Sequence, residues 1–387
     1  MESHLQALCE ALQPEVNVHV VVASENRHST EDSVHGIKVT RAGTLFNFSA
    51  AQVCPRMVSE IRRTQADVIH LHWPNPMAVL AYLASGHRGP LVITYHSDVI
   101  RQRMLARTFA PILHRALARS AAIIVTSPNY LDSSPILSAY RDRCYVIPFG
   151  IPLEHLQRYD EVAAARIRQR YGRPLILSVG RLVYYKGYEY LIRAMVRVQG
   201  HLLIVGQGPL HSKLEQIARE CGVAERVTLV GHLSDAELAQ YYHAADVFVL
   251  ASIARSEAFG LVQLEAMACG KPVINTRLDS GVPFVSLDGV TGLTVPPMDT
   301  EALATAINQL LDDSALRAAY GAAAQRRVRA EFSLEVMARR TLDIYTHVVG
   351  WQSDWANGLV KSGAEKELVS ATVGVAAGAS AYSRQRE

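Results

Sequence analysis

The sequence contains few cysteines, and their spacing excludes the common cysteine-based architectures. Among 387 residues there are five, at Cys9, Cys54, Cys144, Cys221 and Cys269. The set is odd in number, scattered and without a Cys-x-x-Cys pair, which argues against a disulfide framework and against a zinc ribbon. Because such a set suits a reducing compartment, we expect a cytoplasmic protein.

The sequence also lacks long hydrophobic runs and a strong excess of charge. No apolar run approaches the roughly 20 residues that span a bilayer, and no signal-peptide pattern opens the chain. Hydrophobic residues make up 49% and charged residues 19%, a composition that excludes a mostly disordered chain. The formal net charge of +3 is too small to indicate binding to nucleic acid.

The sequence instead alternates short, β-branched apolar runs with amphipathic helical segments. The runs lie at 16–22, 68–72, 91–95 and 123–126, and then at 175–179, 202–205, 227–230, 247–250 and 272–275. Continuous apolar runs are typical of parallel strands covered by helices on both faces. The alternation predicts an α/β protein with two doubly wound, Rossmann-like domains facing each other across a cleft. Ligands are expected at the carboxyl ends of the strands.

A charged helical stretch between Pro148 and Pro174 separates the two halves. We predict an N-terminal domain over 1–165, a C-terminal domain over 166–342, a C-terminal helix over 343–357 and a flexible Ala/Gly/Ser-rich tail over 358–387. The helical pattern already begins at 1–8, with no strand before it. Either the first domain lacks its usual opening strand, or the true start lies upstream of Met1.

The most informative segment covers 256–273 and directly follows a predicted strand. It carries Glu257 and Glu265, with Gly260 between them, at a strand-to-helix junction. A glycine at a helix start lets backbone N–H groups approach a ligand, and that end of a helix favours anions. An arbitrary glutamate pair is more often a loop acid plus an exposed helix acid. Here the junction and the spacing favour a binding site.

A second strand end carries Arg181 and Lys186 between Gly180 and Gly187. An arginine can bind a diphosphate through two hydrogen bonds, and a lysine adds a compact positive charge. Alone, two cations five residues apart are usually part of a solvated surface. Two junctions suited to phosphate within one domain favour the binding interpretation.

Histidines mark two further strand ends, in the first half of the chain. His96 follows one predicted strand, and His70 and His72 end another. A lone histidine is more often a satisfied structural residue, but one at a cleft can meet a sugar hydroxyl. His70 and His72 have no third metal ligand at suitable spacing. We therefore favour a role in hydrogen bonding and packing around an acceptor over metal binding.

A basic stretch over 99–121 contains arginines but no acidic residue. Its arginines are Arg101, Arg103, Arg107, Arg115 and Arg119, interleaved with apolar residues at helical spacings. This pattern fits either an ordinary solvated helix face or a basic amphipathic surface. The second would meet anionic lipid headgroups or a lipid-linked diphosphate acceptor.

At these motifs the sequence resembles the family-4 retaining glycosyltransferases of the GT-B fold, over residues 1–342. The segment from Glu257 to Glu265 is the most specific part of the resemblance. The stretch His-x-His-Trp-Pro-Asn-Pro at 70–76 is similar to enzymes of bacterial surface-polysaccharide assembly, such as that of lipopolysaccharide, which transfer mannose or a 6-deoxyhexose such as rhamnose.

The resemblance implies a role for each matched residue. The catalytic set would be His96, Arg181, Lys186 and Glu257, with the two cations neutralising the diphosphate. The donor would be bound by Gly180, Gly231, Leu233, Phe259, Gly260, Leu261 and Glu265, with Glu265 holding the ribose hydroxyls. The acceptor side would include His72, Trp73 and Asn75. Against the family pattern, the opening strand is missing, and the stretch 280–284 ends in Phe284 where many relatives have a glutamate.

The leading hypothesis is a retaining hexosyltransferase, peripheral on the inner face of the plasma membrane. It would move mannose or a 6-deoxyhexose from a nucleotide-diphosphate donor, GDP-linked by the resemblance, to a lipid-linked glycan or polysaccharide. No Asp-x-Asp motif is present, which predicts a metal-independent reaction, and no cofactor is expected. A truncated, non-catalytic nucleotide-sugar-binding protein and a sugar-nucleotide epimerase of the same two-domain shape are the alternatives.

Overall fold

A computed structural model of the chain describes residues 2–48, 51–98, 103–350 and 372–377. The described residues form two compact units. The first comprises Met1–Thr126, Ser134–Pro148 and Leu334–Glu387, and the second comprises Ser127–Ser133 and Phe149–Ser333. This division differs from the predicted one, since the chain returns to the first unit after Ser333.

The strands are β1 (Asn17–Ala23), β2 (Thr30–Val34), β3 (Ile37–Ala42), β4 (Phe46–Phe48), β5 (Ala51–Val53), β6 (Val68–Trp73), β7 (Leu91–Tyr95), β8 (Ala122–Val125), β9 (Cys144–Val146), β10 (Leu175–Val179), β11 (His201–Val205), β12 (Val227–Gly231), β13 (Val247–Val249), β14 (Val273–Thr276), β15 (Gly292–Val295) and β16 (Thr372–Ala377). The predicted strands are confirmed within one residue at each end, as β1, β6, β7, β8, β10, β11, β12, β13 and β14. The other strands were not predicted.

The helices are α1 (Glu2–Leu12), α2 (Arg56–Arg63), α3 (Pro76–Ser85), α4 (Arg103–Arg119), α5 (Pro128–Ser133), α6 (Glu154–Gln157), α7 (Glu161–Tyr171), α8 (Tyr188–Ala194), α9 (His211–Glu220), α10 (Asp235–Ala244), α11 (Leu261–Ala268), α12 (Val282–Val285), α13 (Thr300–Asp312), α14 (Ser314–Glu331) and α15 (Leu334–Val348). Short 3₁₀ turns lie at Leu137–Arg143, Tyr184–Lys186, Met195–Arg197 and Ala224–Arg226. The predicted C-terminal helix overlaps the end of α15, and 351–357 lie outside the described residues.

The second unit is a parallel sheet in the order β12-β11-β10-β13-β14-β15. Its strands are covered on both faces. On β10, Leu175 and Leu177 join the apolar cluster that contains Phe248, whereas Ile176 joins the cluster that contains Val247. Alternate residues therefore enter different cores, which explains why the strand is apolar except for Ser178, whose hydroxyl donates to the carbonyl of Val249 at 2.7 Å.

The first unit contains a sheet in the order β2-β3-β1-β16-β6-β7-β8-β9, parallel except for β2. The helices at the two ends of the chain share one core. Leu5 and Leu8 of α1 belong to the same buried cluster as Met337, Ile344 and Tyr345 of α15. This packing is the physical reason that α15 belongs to the first unit rather than to the second.

The centre of this sheet is formed by the C-terminal segment. β16 pairs in parallel with β1 over 17–22 and with β6 over 68–71. The prediction of a flexible tail is therefore wrong for 372–377, while 358–371 and 378–387 lie outside the described residues. The tail has few bulky apolar side chains, but Thr-Val-Gly-Val-Ala-Ala suits a strand with neighbours on both sides. In the order of the sheet, β16 lies between β1 and β6.

None of the helices in the described parts of the chain has the length and apolar character needed to cross a membrane.

Replacing Val375 by proline should destabilise the first unit. Val375 pairs with Val20 on one side and His70 on the other, and proline cannot donate to the ladder. Each buried backbone group left unpaired costs about 1–3 kcal/mol. Hydrogen exchange should show faster exchange in β1 and β6 and unchanged exchange in β10. Val375→Thr, which keeps the N–H, is the matched control; equal protection in both variants would contradict the pairing.

Candidate active site

In the parallel sheet of the second unit, the order in which successive strands are added reverses at β10. β10 is followed in the chain by β11 on one side, whereas β13 lies on its other side. In open α/β sheets, ligands bind outside the carboxyl ends of the strands at such a point. Gly180 and Arg181 directly follow β10, and the loop after β13 holds Ser252 and Glu257. The topology therefore places the predicted phosphate and donor residues at the expected end of the sheet.

An ion pair joins these two loops. Nζ of Lys186 lies 2.6 Å from a carboxylate oxygen of Glu257, and each side chain is only 10% exposed. The hydroxyl of Ser252 donates to the same oxygen at 2.9 Å. Because a buried charge is costly without its partner, the pair holds both side chains in place. The structure thus brings two of the predicted catalytic residues into direct contact.

Gly187 allows the two loops to approach this closely. Its φ is +66°, and a Cβ there would lie 2.0 Å from the carbonyl oxygen of Ala251. The amide of Ile253 also donates to the carbonyl of Tyr185, at 2.8 Å. The glycine after Lys186 is therefore required by packing, and this packing brings the lysine alongside the loop after β13.

Helix α11 begins where the loop after β13 ends. Gly260 precedes it with a φ of +74°, and a Cβ there would lie 2.7 Å from the Leu250 side chain. Phe259 is buried edge-on against Phe149, with ring centroids 5.1 Å apart. The first turn of a helix, which here begins at Leu261, favours an anion, although the amide of Gln263 already donates to the carbonyl of Gly260 at 2.9 Å. The junction can therefore offer backbone donors beside the ion pair.

Glu265, on α11, is held by a tyrosine from another helix. The hydroxyl of Tyr242 on α10 donates to its carboxylate at 2.6 Å. Burial raises the pKa of Glu265 to about 7, although the hydrogen bond from Tyr242 and, more weakly, the charge of Lys186 act in the opposite direction. The carboxyl therefore keeps its proton to a higher pH than an ordinary glutamate does.

The turn after β12 contains the residues predicted to meet the nucleobase. Gly231 ends β12 with a φ of +89°, and its carbonyl accepts a hydrogen bond from the amide of Gly206 at 2.7 Å. Leu233 is partly buried against the apolar core. These contacts place the turn at the same end of the sheet as the loop after β11; its contact with a base remains a prediction.

In the first unit, the predicted residues gather at the ends of β6 and β7. Nδ1 of His72 lies 2.9 Å from Nε2 of His96, and both side chains are buried. Trp73 is the last residue of β6. Asn75 caps α3, with its side-chain oxygen accepting from the amide of Ala78 at 3.1 Å. The structure thus brings His72 and His96 together and leaves the acceptor role of this group a prediction.

His70 is engaged through both ring nitrogens. Nδ1 lies 2.6 Å from the hydroxyl of Tyr345, and Nε2 lies 2.7 Å from the hydroxyl of Thr94. Burial lowers the pKa of His70 to about 3, so the ring is neutral. Neither nitrogen is open to a metal in this arrangement, and the residue acts in hydrogen bonding and packing.

Several residues of the site were missed by the sequence analysis. The turn Gly206-Gln207-Gly208 follows β11, and the carbonyl of Gln207 accepts from the amide of Leu182 at 2.9 Å. Two glycines directly after a predicted strand were a usable signal for this turn. Ser252, Tyr242 and Tyr345 gave no such signal, because their partners come from distant parts of the chain.

The structure also explains the stretch 280–284, which departs from the pattern of the family that the sequence resembles. Phe284, at the position where the family resemblance implies a glutamate, packs edge-on against Phe332 with centroids 5.9 Å apart. The guanidinium of Arg327 lies 5.5 Å from the Phe284 ring. The phenylalanine is thus a packing residue of the second unit.

These arrangements match known protein families. Residues 1–155 match the family model described as Glycosyltransferase Family 4, and residues 162–327 match the one described as Glycosyl transferases group 1. The chain is 33% identical over 280 residues to the O-antigen chain mannosyltransferase C of Escherichia coli, covering 72% of this chain and 75% of that protein. The chain belongs to the family-4 glycosyltransferases.

Other relatives agree with this assignment. This glycosyltransferase is 31% identical over 323 residues to the D-rhamnosyltransferase WbpZ of Pseudomonas aeruginosa, with 82% of this chain and 84% of that protein covered. It is 33% identical to the GDP-mannose-dependent alpha-(1-6)-phosphatidylinositol monomannoside mannosyltransferase of Mycolicibacterium smegmatis, over 74% of this chain and 78% of that protein. Among solved structures, sucrose-phosphate synthase from Thermosynechococcus elongatus matches with a TM-score of 0.73 and 28% identity, covering 90% of this chain and 94% of that one. The fold is GT-B, with two Rossmann-like units.

Binding of GDP should weaken as the pH falls. If ribose hydroxyls donate to Glu265, the carboxylate form binds best, so affinity should drop about tenfold at a pH one unit below the pKa of about 7. Glu265→Gln should remove this dependence. Tyr242→Phe removes a hydrogen bond that favours the carboxylate and should move the midpoint to higher pH. Titration calorimetry over a pH series measures both effects.

The matched control for this series is Glu215→Gln, which changes a glutamate of α9 whose side chain is 47% exposed. Its binding curve should follow that of the unmodified protein. An unchanged pH dependence in Glu265→Gln would remove Glu265 from the nucleotide site.

Proposed function

We propose that the chain is a retaining, metal-independent hexosyltransferase that moves mannose or a 6-deoxyhexose from a GDP-linked donor to a lipid-linked glycan or polysaccharide. The names of the relatives support the sugar, the nucleotide and the kind of acceptor. The observation that carries the proposal is the buried Lys186–Glu257 pair at the carboxyl ends of β10 and β13. A fixed cation at this end of a doubly wound sheet suits the diphosphate of a nucleotide sugar.

The charges in the second unit suit the transition state of this reaction. The bond between the sugar carbon and the diphosphate oxygen breaks, the sugar becomes oxocarbenium-like and negative charge develops on the departing oxygen. Lys186, the exposed Arg181 and the first-turn N–H groups of α11 are the groups that would stabilise that charge. Because Lys186 is already held by Glu257 in the folded protein, little reorganisation of this cation is needed during the reaction.

The remaining steps follow from retention of configuration. The acceptor oxygen forms its bond to the sugar on the face that the diphosphate leaves, and its proton passes to the departing phosphate oxygen. Glu257 would hold Lys186 and contact the donor sugar, and Glu265 would hold the ribose. His96, on the first unit, would hydrogen-bond the sugar. No separate catalytic base is required by this scheme.

Arg181→Ala and Lys186→Ala should each lower kcat/KM for the donor about 10- to 100-fold, because a hydrogen bond to a charged group contributes about 1.5–3 kcal/mol. Glu257→Gln keeps the shape of the side chain but removes its negative charge. It should lower kcat as well, since it weakens the interaction that fixes the position of Lys186. Initial rates of product formation measure these effects. Lys213→Ala, at a lysine with a 60% exposed side chain, is the control.

The outcome of this series also separates two functions. Transfer at the rate of the unmodified protein in all three variants would contradict the site. Tight binding of GDP-mannose by the unmodified chain, with neither transfer nor hydrolysis, would favour a non-catalytic nucleotide-sugar-binding protein.

Transfer should continue at an unchanged rate after EDTA treatment, because Lys186 and Arg181 are proposed to supply the positive charge at the diphosphate. NMR of the product should show the same anomeric configuration as in the donor. Activity that is lost with EDTA and restored by Mg²⁺ or Mn²⁺ would refute metal independence, and an inverted anomeric centre would refute retention.

The proposed place of action is the cytoplasmic face of the plasma membrane. Arg107, Arg115 and Arg119 are exposed on α4 and lie on one side of that helix. Arg103 is the first residue of α4, and Arg101 lies outside the described residues. Such a face can bind anionic lipid headgroups. Each arginine near the membrane surface contributes about 1 kcal/mol to the free energy of binding.

Vesicles containing phosphatidylglycerol should bind the protein, and vesicles of phosphatidylcholine alone should not. Replacing Arg107, Arg115 and Arg119 by glutamate should weaken binding at least about 100-fold, from the loss of roughly 3 kcal/mol. Co-sedimentation measures this binding. Sedimentation that does not change after charge reversal would exclude α4 as the contact.

A further inference from the structure

The backbone at the start of α11 is held by a buried amide side chain, that of Gln263. Nε2 of Gln263 donates to the carbonyl of Phe259 at 3.2 Å, and its backbone amide donates to the carbonyl of Gly260 at 2.9 Å. In a trans peptide the C=O and the N–H point in opposite directions. Because both carbonyls face Gln263, the N–H groups of Gly260 and Leu261 point away from it.

A second buried amide fixes which end of the Gln263 side chain faces Phe259. Nδ2 of Asn275, on β14, donates to Oε1 of Gln263 at 3.0 Å. It also lies 3.1 Å from the carbonyl oxygen of Val282 and 3.2 Å from that of Ser286. Carbonyl oxygens only accept hydrogen bonds, so the nitrogen of Asn275 faces them and its oxygen cannot. Gln263 therefore meets Asn275 with its oxygen and Phe259 with its nitrogen.

The oxygen of the Asn275 side chain is engaged from β15. The hydroxyl of Thr294 donates to Oδ1 of Asn275 at 2.7 Å. The side chains of Asn275 and Gln263 are both buried, where leaving a polar atom without a partner is unfavourable. The bonds therefore form one chain from Thr294 through Asn275 and Gln263 to the carbonyl of Phe259. Neither amide can turn without breaking a bond to the next member.

We infer that Gln263 and Asn275 are positioning residues of the donor site. They hold the N–H groups of Gly260 and Leu261 in the direction of the diphosphate. The identity of this ligand rests on the proposed function, in which N–H groups at the start of α11 stabilise the charge on the departing oxygen. Neither amide side chain needs to touch the donor, because each acts through the backbone before α11.

Gln263→Met tests this positioning, because methionine keeps the length of the side chain but cannot donate to Phe259. Binding of GDP should weaken about 3- to 10-fold, the range of one neutral hydrogen bond, whereas binding of guanosine, which has no phosphate, should not change. Titration calorimetry measures both affinities. Equal losses for GDP and guanosine would indicate a general loss of structure and would overturn the inference, as would unchanged binding of GDP.

The matched control makes the same substitution at the other end of α11. Nε2 of Gln325 donates to the carbonyl of Ala268, the last residue of that helix, at 3.1 Å. Gln325→Met therefore also removes a hydrogen bond from an amide side chain to a backbone carbonyl. It should leave the affinities for GDP and guanosine unchanged. A loss of GDP binding equal to that of Gln263→Met would contradict a specific role of Gln263.

Thr294 tests the same chain from its other end. Thr294→Val removes the hydroxyl from Asn275 with little change in the shape of the side chain. It should weaken GDP binding about 2- to 3-fold, the lower end for one neutral hydrogen bond. Thr294→Ser keeps the hydroxyl and should restore the affinity. Valine and serine variants that bind GDP equally well would remove Thr294 and Asn275 from the positioning of the donor site.

Unfolding in urea separates this inference from the proposed function, because it needs no ligand. In the double variant of Gln263→Met and Thr294→Val, the loss in free energy of unfolding should be smaller than the two single losses together, since either substitution breaks the chain. A protein that binds no GDP and transfers no sugar would refute the proposed function and leave this coupling in place. Fully independent losses of stability would refute the inference, whatever the protein binds.

Discussion

The buried ion pair between Lys186 and Glu257 is the interaction on which the candidate site depends. It joins the loop after β10 to the loop after β13, at the point where the strand order in the parallel sheet of the second unit reverses. Neither charge would be stable in this position alone, because the side chains are nearly excluded from water. The absence of a side chain at Gly187 brings the loops close enough for the pair to form. The site is therefore a product of backbone packing as much as of charge.

The two units offer different chemistry. The second unit carries cations, carboxylates and a helix start, which suit a diphosphate and a ribose. The first unit carries neutral imidazoles, since burial lowers the pKa of His70, His72 and His96. Neutral groups bind hydroxyls without the cost of burying a charge. Charged groups suit a leaving group that gains negative charge, and neutral hydrogen-bonding groups suit the orientation of a sugar.

The C-terminal part of the chain completes the first unit. α15 supplies Tyr345 to His70 and packs with α1, and β16 lies between β1 and β6. Tyr345 of α15 thus helps to orient His70, which lies in the N-terminal part of the chain. Neither contribution can be predicted from local sequence pattern. The segment of β16 is short and rich in small residues, and the pattern of α15 indicates only that one face of the helix is apolar.

The amino-acid sequence by itself determined the strands buried on both faces, because such strands are apolar along most of their length. It also determined which strand ends carry charged residues beside glycines. From these patterns the α/β fold class and the choice of Lys186, Glu257 and His96 could be predicted. Only the tertiary structure decided the partners: Glu257 for Lys186, Tyr242 for Glu265, His72 for His96, and the C-terminal strand for the centre of the first sheet. A local pattern records whether a residue is buried or charged, but contacts between distant segments depend on how helices and strands pack, and that packing is a property of the whole chain.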